Sequence, residues 1–319
     1  MDPSASDFVE ARARMVPHVR HTPLVTSRLL SEHTGFDVRL KAELLQRTGS
    51  YKIRGPLNKI GFLTDDQKAR GVICSSAGNH AQGVALAARL NGLRAVVCMA
   101  SNATPSKIAA TKSYGAEVVL HGSIWDDADA HARTLVREHG YTYIHPFDDD
   151  ELIVGQGTVG LEIMRDWPEA DVIVVPIGGG GLISGIAMAV KALNPKARVI
   201  GVESSGAPAM QRSVREGTRV TLDRVDCIID GLRVKRVGER NLEIVRRYVD
   251  DIVTLPDAQI FDAVVWTMHA TKLVPEGAAA APVAALLNGL IKAPSGARVV
   301  AVLSGGNIDL AQLQGKTWN

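Results

Sequence analysis

The sequence predicts an α/β fold built on open, mainly parallel sheets with helices on both faces. Short runs rich in valine and isoleucine, at residues 95–99, 172–175 and 299–303, have the composition of strands that are buried on both faces. Helical stretches alternate with such runs from residue 70 onward. The chain has 319 residues, of which 46% are hydrophobic and 22% charged. That length is enough for a sizeable core and predicts two domains.

The predicted elements alternate in a regular order along the chain. A strand at residues 72–74 precedes a helix over residues 79–90, and Gly92 just after it is typical of a helix end. The strand at residues 95–99 leads to a helix that begins at Pro105, because proline is favoured in the first helical turn. The remaining predicted elements are a strand at 118–120, a helix at 124–139, a strand at 172–175, a helix after Gly181, and strands at 199–202 and 299–303.

An acidic segment at residues 147–151 divides the two series of strands and helices. We therefore predict a small domain over residues 66–147 and a large domain that combines residues 1–65 with residues 148–319. Both domains are built from the same kind of unit, and the sequence contains no internal repeat or low-complexity tract. Each domain is expected to contain one open, twisted, mainly parallel sheet.

The charge and the cysteines exclude several classes of protein. Lys and Arg total 36 against 34 Asp and Glu, a net charge of +2, and no basic cluster offers a nucleic-acid surface. The N-terminus lacks the pattern of a signal peptide, and Pro176 and four glycines interrupt the apolar stretch of residues 172–190. Cys74, Cys98 and Cys227 form no CxxC motif. We expect a cytoplasmic protein with reduced cysteines and no nucleic-acid or membrane partner.

Glycine-rich and polar loops follow three of the predicted strands, at residues 75–80, 176–181 and 304–307. Ligands of open α/β sheets bind at the carboxyl ends of the strands, so these loops are expected to converge. In the second loop, residues without Cβ precede a helix, which predicts a phosphate-binding site formed by backbone N–H groups. These residues are Gly178, Gly179, Gly180 and Gly181. A flexible turn is the alternative interpretation.

A second glycine pattern, Gly-x-Gly-x-x-Gly at residues 155–160, matches the dinucleotide-binding fingerprint. That fingerprint requires a preceding strand, whereas here an acidic run and three apolar residues come before it. The favoured interpretation is a helix start whose glycines allow close packing. An oxidoreductase that binds NAD at this pattern is the rival hypothesis.

Two further segments carry polar groups that chemistry could use. Lys52 lies in residues 50–56, before a Gly-Pro turn, and such a lysine taken alone is typical of a protein surface. The loop at residues 75–80 ends a strand and begins a helix, and its small polar residues and N–H groups suit a carboxylate. Helix capping by Ser76 or Asn79 is the alternative there.

Taken together, four motifs resemble those of one family. Ser-x-Lys-x-Arg-Gly, Ser-Ala-Gly-Asn-His, Gly-Gly-Gly-Gly-Leu and Ser-Gly-Gly-Asn occur in this order between residues 50 and 307. The set resembles the fold-type II pyridoxal-phosphate enzymes, in particular the threonine/serine dehydratases (ammonia-lyases) and serine racemase. The resemblance extends over residues 22–307. It implies a tryptophan synthase β-like fold with the cofactor between the two domains.

The resemblance implies a role for each motif residue. Lys52 matches the lysine that forms the Schiff base with pyridoxal 5'-phosphate and later removes the substrate α-proton. Asn79 matches the residue that hydrogen-bonds the ring hydroxyl of the cofactor, and Ser304 matches the serine that faces the pyridine nitrogen. The phosphate cradle is matched by Gly178, Gly179, Gly180 and Gly181, and the loop that binds the substrate carboxylate by Ser76, Asn79 and His80.

The implied activity converts a 3-hydroxy-L-amino acid of the threonine or serine type to a 2-oxo acid and ammonia. Ala77 stands where serine racemase has the serine that acts as its second acid/base, so dehydration is expected over racemisation. The loop at residues 75–80 also differs from that of the cysteine-synthesising sulfhydrylases, which argues against a β-replacement enzyme. A non-enzymatic amino-acid sensor is a further alternative, and Lys52 argues against it. The family likeness implies a homodimer.

Several positions depart from the family pattern and leave the substrate and the ions open. Glu203 matches the first carboxylate of the racemase cation site, whereas Ala209 stands in place of the second. Glu203 would either help to hold Mg²⁺ or a monovalent cation or be only a charge at the end of a strand. Arg233 replaces a small residue near the substrate, where it would pair with an acidic or polar substrate tail or face solvent. Tyr51 and Pro56 replace the usual Phe and Ala. Phenylserine, threo-3-hydroxyaspartate and a hydroxyectoine-derived amino acid are therefore alternative substrates.

Overall fold

Ten strands form two sheets in the computed structural model, which describes residues 3–309. In chain order the strands are β1 (Leu24–Thr26), β2 (Asp37–Ala42), β3 (Val72–Ser75), β4 (Ala95–Met99), β5 (Glu117–Leu120), β6 (Thr142–Tyr143), β7 (Val172–Pro176), β8 (Arg198–Ser204), β9 (Asp251–Leu255) and β10 (Arg298–Leu303).

Helices connect most of the strands. They are α1 (Ala5–Met15), α2 (Arg28–Thr34), α3 (Arg54–Ile60), α4 (Asp65–Arg70), α5 (Asn79–Leu90), α6 (Pro105–Ser113), α7 (Trp125–His139), α8 (Asp150–Asp166), α9 (Gly181–Leu193), α10 (Ala209–Glu216), α11 (Glu239–Tyr248), α12 (Asp257–Thr271) and α13 (Gly277–Leu287). Among the described residues, none of these helices combines the length and the apolar character that crossing a membrane requires.

The strand orders confirm the predicted fold class. The larger sheet has the order β1-β2-β10-β7-β8-β9, in which β1 is antiparallel to β2 and the other neighbours are parallel. The smaller sheet has the order β5-β4-β3-β6 and is parallel throughout. The central strands β7 and β10 are buried along almost their whole length, which explains their unbroken valine and isoleucine runs.

The two sheets divide the chain in the order that the domain prediction expects. Strands β3 to β6 all lie within residues 66–147, and the strands of the larger sheet lie outside that range. The apolar core beside the smaller sheet nevertheless includes Phe8 and Met15 of α1 and Ile153 of α8. Since this core draws on both predicted domains, the boundary residues themselves stay a prediction.

The glycine pattern at residues 155–160 lies inside a helix, so the prediction of a helix start there is wrong. Helix α8 begins five residues earlier, where the Asp149 side chain accepts the N–H of Leu152. The predicted close packing is confirmed, because a Cβ at Gly157 would lie 2.7 Å from the carbonyl oxygen of Gly185. A dinucleotide fingerprint needs a strand and a loop, and this helix provides neither.

A buried ionic cluster fixes the start of α3, two residues after Lys52. The guanidinium of Arg54 is fully buried and contacts Glu43 Oε1 at 2.7 Å and Glu162 Oε2 at 2.9 Å. Lys41 Nζ donates to the same Glu162 oxygen at 2.8 Å. The cluster joins β2, α3 and α8, so the segment that carries Lys52 is attached to the larger sheet by charged hydrogen bonds.

Candidate active site

The three polar loops predicted from the sequence are connected in the structure. Asn307 Nδ2 donates to Asn79 Oδ1 at 2.7 Å and thereby joins the third loop to the first. The glycine loop is connected through Phe147, because a Cβ at Gly179 would lie 2.2 Å from the Phe147 ring. The preceding residue, Pro146, accepts a hydrogen bond from Lys52. The strand ends, the glycine loop and Lys52 therefore belong to one region, as the sequence predicted.

The backbone of Lys52 is held between the end of β10 and helix α5. Lys52 lies in a short 3-10 turn, Tyr51–Ile53, whose first N–H donates to the carbonyl of Ser304 at 3.1 Å. On the other side, a Cβ at Gly83 of α5 would lie 2.6 Å from the carbonyl oxygen of Lys52. Glycine at this position lets the helix backbone approach the turn closely. The backbone of Lys52 is therefore held by the end of β10 on one side and by helix α5 on the other.

The Lys52 amine loses its proton more readily than an exposed lysine amine. Nζ donates to the carbonyl oxygen of Pro146 at 2.8 Å. Burial lowers the pKa of Lys52 to about 8, although the negative charge of Glu276 opposes this effect. A lysine with a pKa in this range has a much larger neutral fraction near neutral pH than an exposed lysine has. It is thus suited to act as a nucleophile or a base.

Asn79 is held by Asn307, which lies in the predicted loop at residues 304–307, and by Glu276, which no sequence motif indicated. Its Nδ2 donates to Glu276 Oε1 at 2.8 Å and Oε2 at 2.9 Å, and its Oδ1 accepts from Asn307. Burial raises the pKa of Glu276, while the hydrogen bond from Asn79 opposes that change. Glu276 comes from the start of α13, far from the four motifs in sequence. No local pattern in the chain marked it.

The glycine loop has no room for side chains, which supports its predicted use as a backbone anion site. A Cβ at Gly178 would lie 2.3 Å from the carbonyl oxygen of Gly231, and Gly180 has a φ of +103°. Helix α9 begins at Gly181, and the first turn of a helix leaves N–H groups without carbonyl partners. These groups and the helix dipole make the loop suitable for a phosphate.

The loop between β3 and α5 offers backbone groups more readily than its histidine. The Ser76 hydroxyl accepts the N–H of Gly78 at 3.2 Å, a bond that does not use the hydroxyl proton. His80 Nε2 lies 2.9 Å from the carbonyl oxygen of Ile144, so this nitrogen carries the proton. Burial lowers the pKa of His80 to about 3, which leaves Nδ1 without a proton to donate. If this loop binds the substrate carboxylate, we therefore expect His80 to contribute its backbone N–H, at the start of α5, and not its ring.

Ser304 and Arg233 lie in contrasting environments. Ser304 follows the last residue of β10 and is only 3% exposed, in keeping with a cofactor-facing position. Arg233 is more than half exposed and lies 3.6 Å from Asp230, which also accepts Lys107 of α6 at 2.5 Å. The pair of Lys107 and Asp230 connects α6, which follows a strand of the smaller sheet, to the segment that carries Arg233. Neither ion pair of Asp230 places Arg233 beside Lys52. Its role in substrate binding stays a prediction.

Glu203 is used within the fold. It is 1% exposed, and its two carboxylate oxygens each accept a backbone N–H at 2.8 Å, from Met210 and Gln211 in the first turn of α10. Burial raises its pKa to about 8, while these hydrogen bonds oppose the change. Within residues 3–309, no group of three or more His, Cys, Asp or Glu side chains is arranged to hold a metal ion. A cation at Glu203 stays a prediction, and helix capping accounts for this carboxylate without one.

The fold and the site place a buried lysine amine beside a glycine loop, and comparisons with known proteins identify the family of the chain. The profile of the pyridoxal-phosphate dependent enzymes matches residues 15–305. The chain therefore belongs to this family, which confirms the resemblance found in the sequence. Pyridoxal phosphate is accordingly its cofactor.

Relatives with known names and structures extend the comparison. The chain is 46% identical to the L-threonine ammonia-lyase of Thermotoga maritima, over 95% of this chain and 75% of that protein. It is 44% identical to the catabolic L-threonine dehydratase of Staphylococcus aureus, over 98% and 91%. The structure of maize serine racemase superimposes with a TM-score of 0.94 at 36% identity, over 98% and 96% of the chains. The processed form of threonine deaminase isoform 2 from Solanum lycopersicum gives 0.90 at 34% identity, over 98% and 88%.

Proposed function

We propose that this protein is an ammonia-lyase that converts a 3-hydroxy-L-amino acid of the threonine or serine type to a 2-oxo acid and ammonia. The observation that carries the proposal is Lys52, whose amine has a lowered pKa of about 8 and is held at Pro146, next to the glycine loop. The names of the relatives at 44–46% identity point to the same reaction.

The residues of the site fit the groups of pyridoxal phosphate. Lys52 supplies the amine that would hold its aldehyde carbon, and the glycine loop that begins α9 would receive its phosphate. The Asn79 amide would face the ring hydroxyl, and the Ser304 hydroxyl the pyridine nitrogen. A hydroxyl at this last position does not hold the nitrogen protonated. That limits charge delocalisation and favours loss of the β-substituent over transamination.

The protein groups divide the remaining work of the reaction. Bound pyridoxal phosphate supplies an electron sink for the negative charge that develops at the substrate α-carbon. Lys52 Nζ takes the α-proton as general base, and the Ser76 hydroxyl with the N–H groups at the start of α5 would hold the substrate carboxylate. Water lost from the β-carbon is balanced by water used in hydrolysis, so the products are one 2-oxo acid and one ammonia.

Ala77 favours elimination over racemisation. Inversion of the α-carbon needs a second proton donor on the face opposite Lys52, and the serine of serine racemase has this role in the family. The methyl group of Ala77 has no proton to give. Threonine and serine are the first substrates to test. Phenylserine, threo-3-hydroxyaspartate and a hydroxyectoine-derived amino acid stay alternative substrates, and Arg233 would pair with an acidic or polar substrate tail or face solvent.

A product assay tests this proposal. Protein loaded with pyridoxal phosphate is incubated with L-threonine, L-serine, phenylserine or threo-3-hydroxyaspartate, and 2-oxo acid and D-amino acid are measured together. We expect 2-oxo acid from L-threonine or L-serine to exceed the D-isomer, and Ala77→Ser to raise the share of D-isomer because it adds a hydroxyl group. Formation of D-isomer without 2-oxo acid, or no product from any substrate, would contradict the proposal.

The glycine loop provides a separate prediction about cofactor affinity. Gly179→Ala places a Cβ against the Phe147 ring and displaces the loop backbone, so we expect pyridoxal phosphate to bind at least about tenfold more weakly. Equilibrium dialysis of the cofactor measures this loss. Gly35→Ala is the control, because Gly35 has open space around its Cβ position and only its φ of +72° opposes the substitution. Equal affinity in the two variants would argue against a phosphate site at the loop.

We also propose that the chain acts in the cytoplasm as a homodimer. Its three cysteines, Cys74, Cys98 and Cys227, are free and buried, the state that a reducing compartment maintains. The dimer rests on the family likeness alone. Sedimentation of the cofactor-loaded protein would give about twice the chain mass, and a monomer at micromolar concentration would contradict this state.

A further inference from the structure

Glu276 contacts Asn79 through both of its carboxylate oxygens, and this contact fixes the orientation of the Asn79 amide. The two distances are 2.8 and 2.9 Å, and the opposite end of the amide accepts from Asn307 at 2.7 Å. Rotating the amide by half a turn would place its oxygen against the carboxylate and its NH₂ group against that of Asn307. The observed orientation is therefore the only one in which both ends are satisfied.

The carboxylate is enclosed by backbone that leaves it little freedom. The N–H of Glu276 donates to the carbonyl oxygen of Gly305 at 3.0 Å, and a Cβ at Gly305 would lie 2.7 Å from Glu276 Oε1. Asn307 is enclosed in the same way, since a Cβ at Gly49 would lie 2.4 Å from its Oδ1. Two glycines thus make space for the two side chains that hold Asn79. The arrangement is a built support of the site rather than a chance surface contact.

The charge of Glu276 also acts on Lys52. It opposes the effect of burial on the pKa of the Lys52 amine and adds to the effect of burial on the pKa of the Tyr51 hydroxyl. Within residues 3–309, the other titratable groups around the amine supply no negative charge, since burial lowers the pKa of His80 and of His145 and keeps both neutral near pH 7. Asp230 acts on Glu276 itself and raises its pKa further.

We propose that Glu276 is a positioning residue that aligns the Asn79 amide with the cofactor ring and, while the cofactor is attached, favours the protonated form of the Lys52 nitrogen. A carboxylate near a basic nitrogen favours its protonated form, and a carboxylate that receives both contacts from an amide holds that amide in one plane. The inference deepens the proposed function and rests on the attachment of the cofactor to Lys52. The test therefore measures the visible absorption of the bound cofactor and not a reaction rate.

The test is a pH titration of the visible absorption of the cofactor-loaded protein without substrate. Glu276→Gln keeps an acceptor for Asn79 but removes the charge, so the pH at which the absorption changes is expected to fall by about one unit or more. Glu32→Gln is the control, because Glu32 is an exposed carboxylate paired with Arg28 on α2. A Glu276→Gln profile that coincides with that of the wild-type protein overturns the inference.

A second variant separates position from charge. Glu276→Asp keeps the charge but withdraws the carboxylate from Asn79, so the titration is expected to stay near that of the wild type while affinity for pyridoxal phosphate falls severalfold. It also provides a readout if Glu276→Gln does not fold, and circular dichroism identifies that case. Unchanged affinity in Glu276→Asp overturns the positioning role. Absence of visible absorption in the wild-type protein would instead contradict the attachment to Lys52, so the two failures are distinguishable.

Discussion

Replacing Lys52 by alanine is expected to abolish the visible absorption of bound cofactor and to lower 2-oxo acid formation by about 10³-fold or more. The variant removes the only amine that the structure places at Pro146 among the described residues, and with it the general base. Absorption spectra and a 2-oxo acid assay on the same sample measure both effects. The backbone of residue 52 keeps its contacts with α5 and β10, so the fold should be retained.

A lysine on the protein surface provides the matched control for this variant. Lys68→Ala removes a side chain that is 41% exposed and whose ion pair with Asp65 of α4 is long, at 3.9 Å. We therefore expect wild-type absorption and activity from this variant. Visible absorption and turnover that persist in Lys52→Ala would show that another lysine holds the cofactor.

Replacing Arg54 by methionine is expected to lower the free energy of unfolding by about 3–5 kcal/mol, because it breaks a buried ionic cluster. Glu162 would keep its contacts with Lys41 and Arg12, but Glu43 would keep only the hydroxyl of Thr22. A carboxylate at 0% exposure without a cation bears a large desolvation cost. Urea unfolding followed by circular dichroism measures the loss.

Arg28→Met is the control for this stability prediction, since Arg28 pairs with Glu32 on the surface of α2, and such pairs contribute about 0–1 kcal/mol. A similar effect of the two substitutions would contradict the role assigned to the cluster.

The pH dependence of the free energy of unfolding gives a second check on the cluster. Burial would raise the pKa of Glu162, but Arg54 and Lys41 outweigh it and lower the pKa from 4.5 to about 2. Because the folded state then binds the proton less tightly, this stabilisation is present above pH 4.5 and is lost as the pH falls toward 2.

The sequence predicted the elements whose physical signals are local. Strands such as β7 and β10 are buried on both faces and therefore have unbroken apolar runs. Helix α6 begins at Pro105, as its first-turn proline indicated. Strand β2 was not predicted, because Arg39 and Lys41 interrupt its apolar pattern. The buried Lys41 amine pairs with Glu162 and donates to the carbonyl oxygen of Thr22.

The site was predicted where side chains lie in contiguous motifs and missed where they come from elsewhere in the chain. Lys52 and Asn79 stand in recognisable patterns, whereas Glu276 reaches Asn79 from 197 positions away. The antiparallel pairing of β1 and the order of the larger sheet also depend on contacts between distant segments. The hypothesis of a helix start at Gly155 failed because Asp149 supplies an earlier cap. Tertiary contacts of this kind have no period or spacing in the sequence.

The role of Lys52 is tested by identifying the lysine that holds the cofactor. The loaded wild-type protein is reduced with borohydride, which makes the bond between cofactor and lysine permanent, then digested and analysed by mass spectrometry. We expect the added cofactor mass on the peptide that contains Lys52 and on no other lysine. Cofactor mass on a different lysine, such as the buried Lys41, or on none would contradict this expectation.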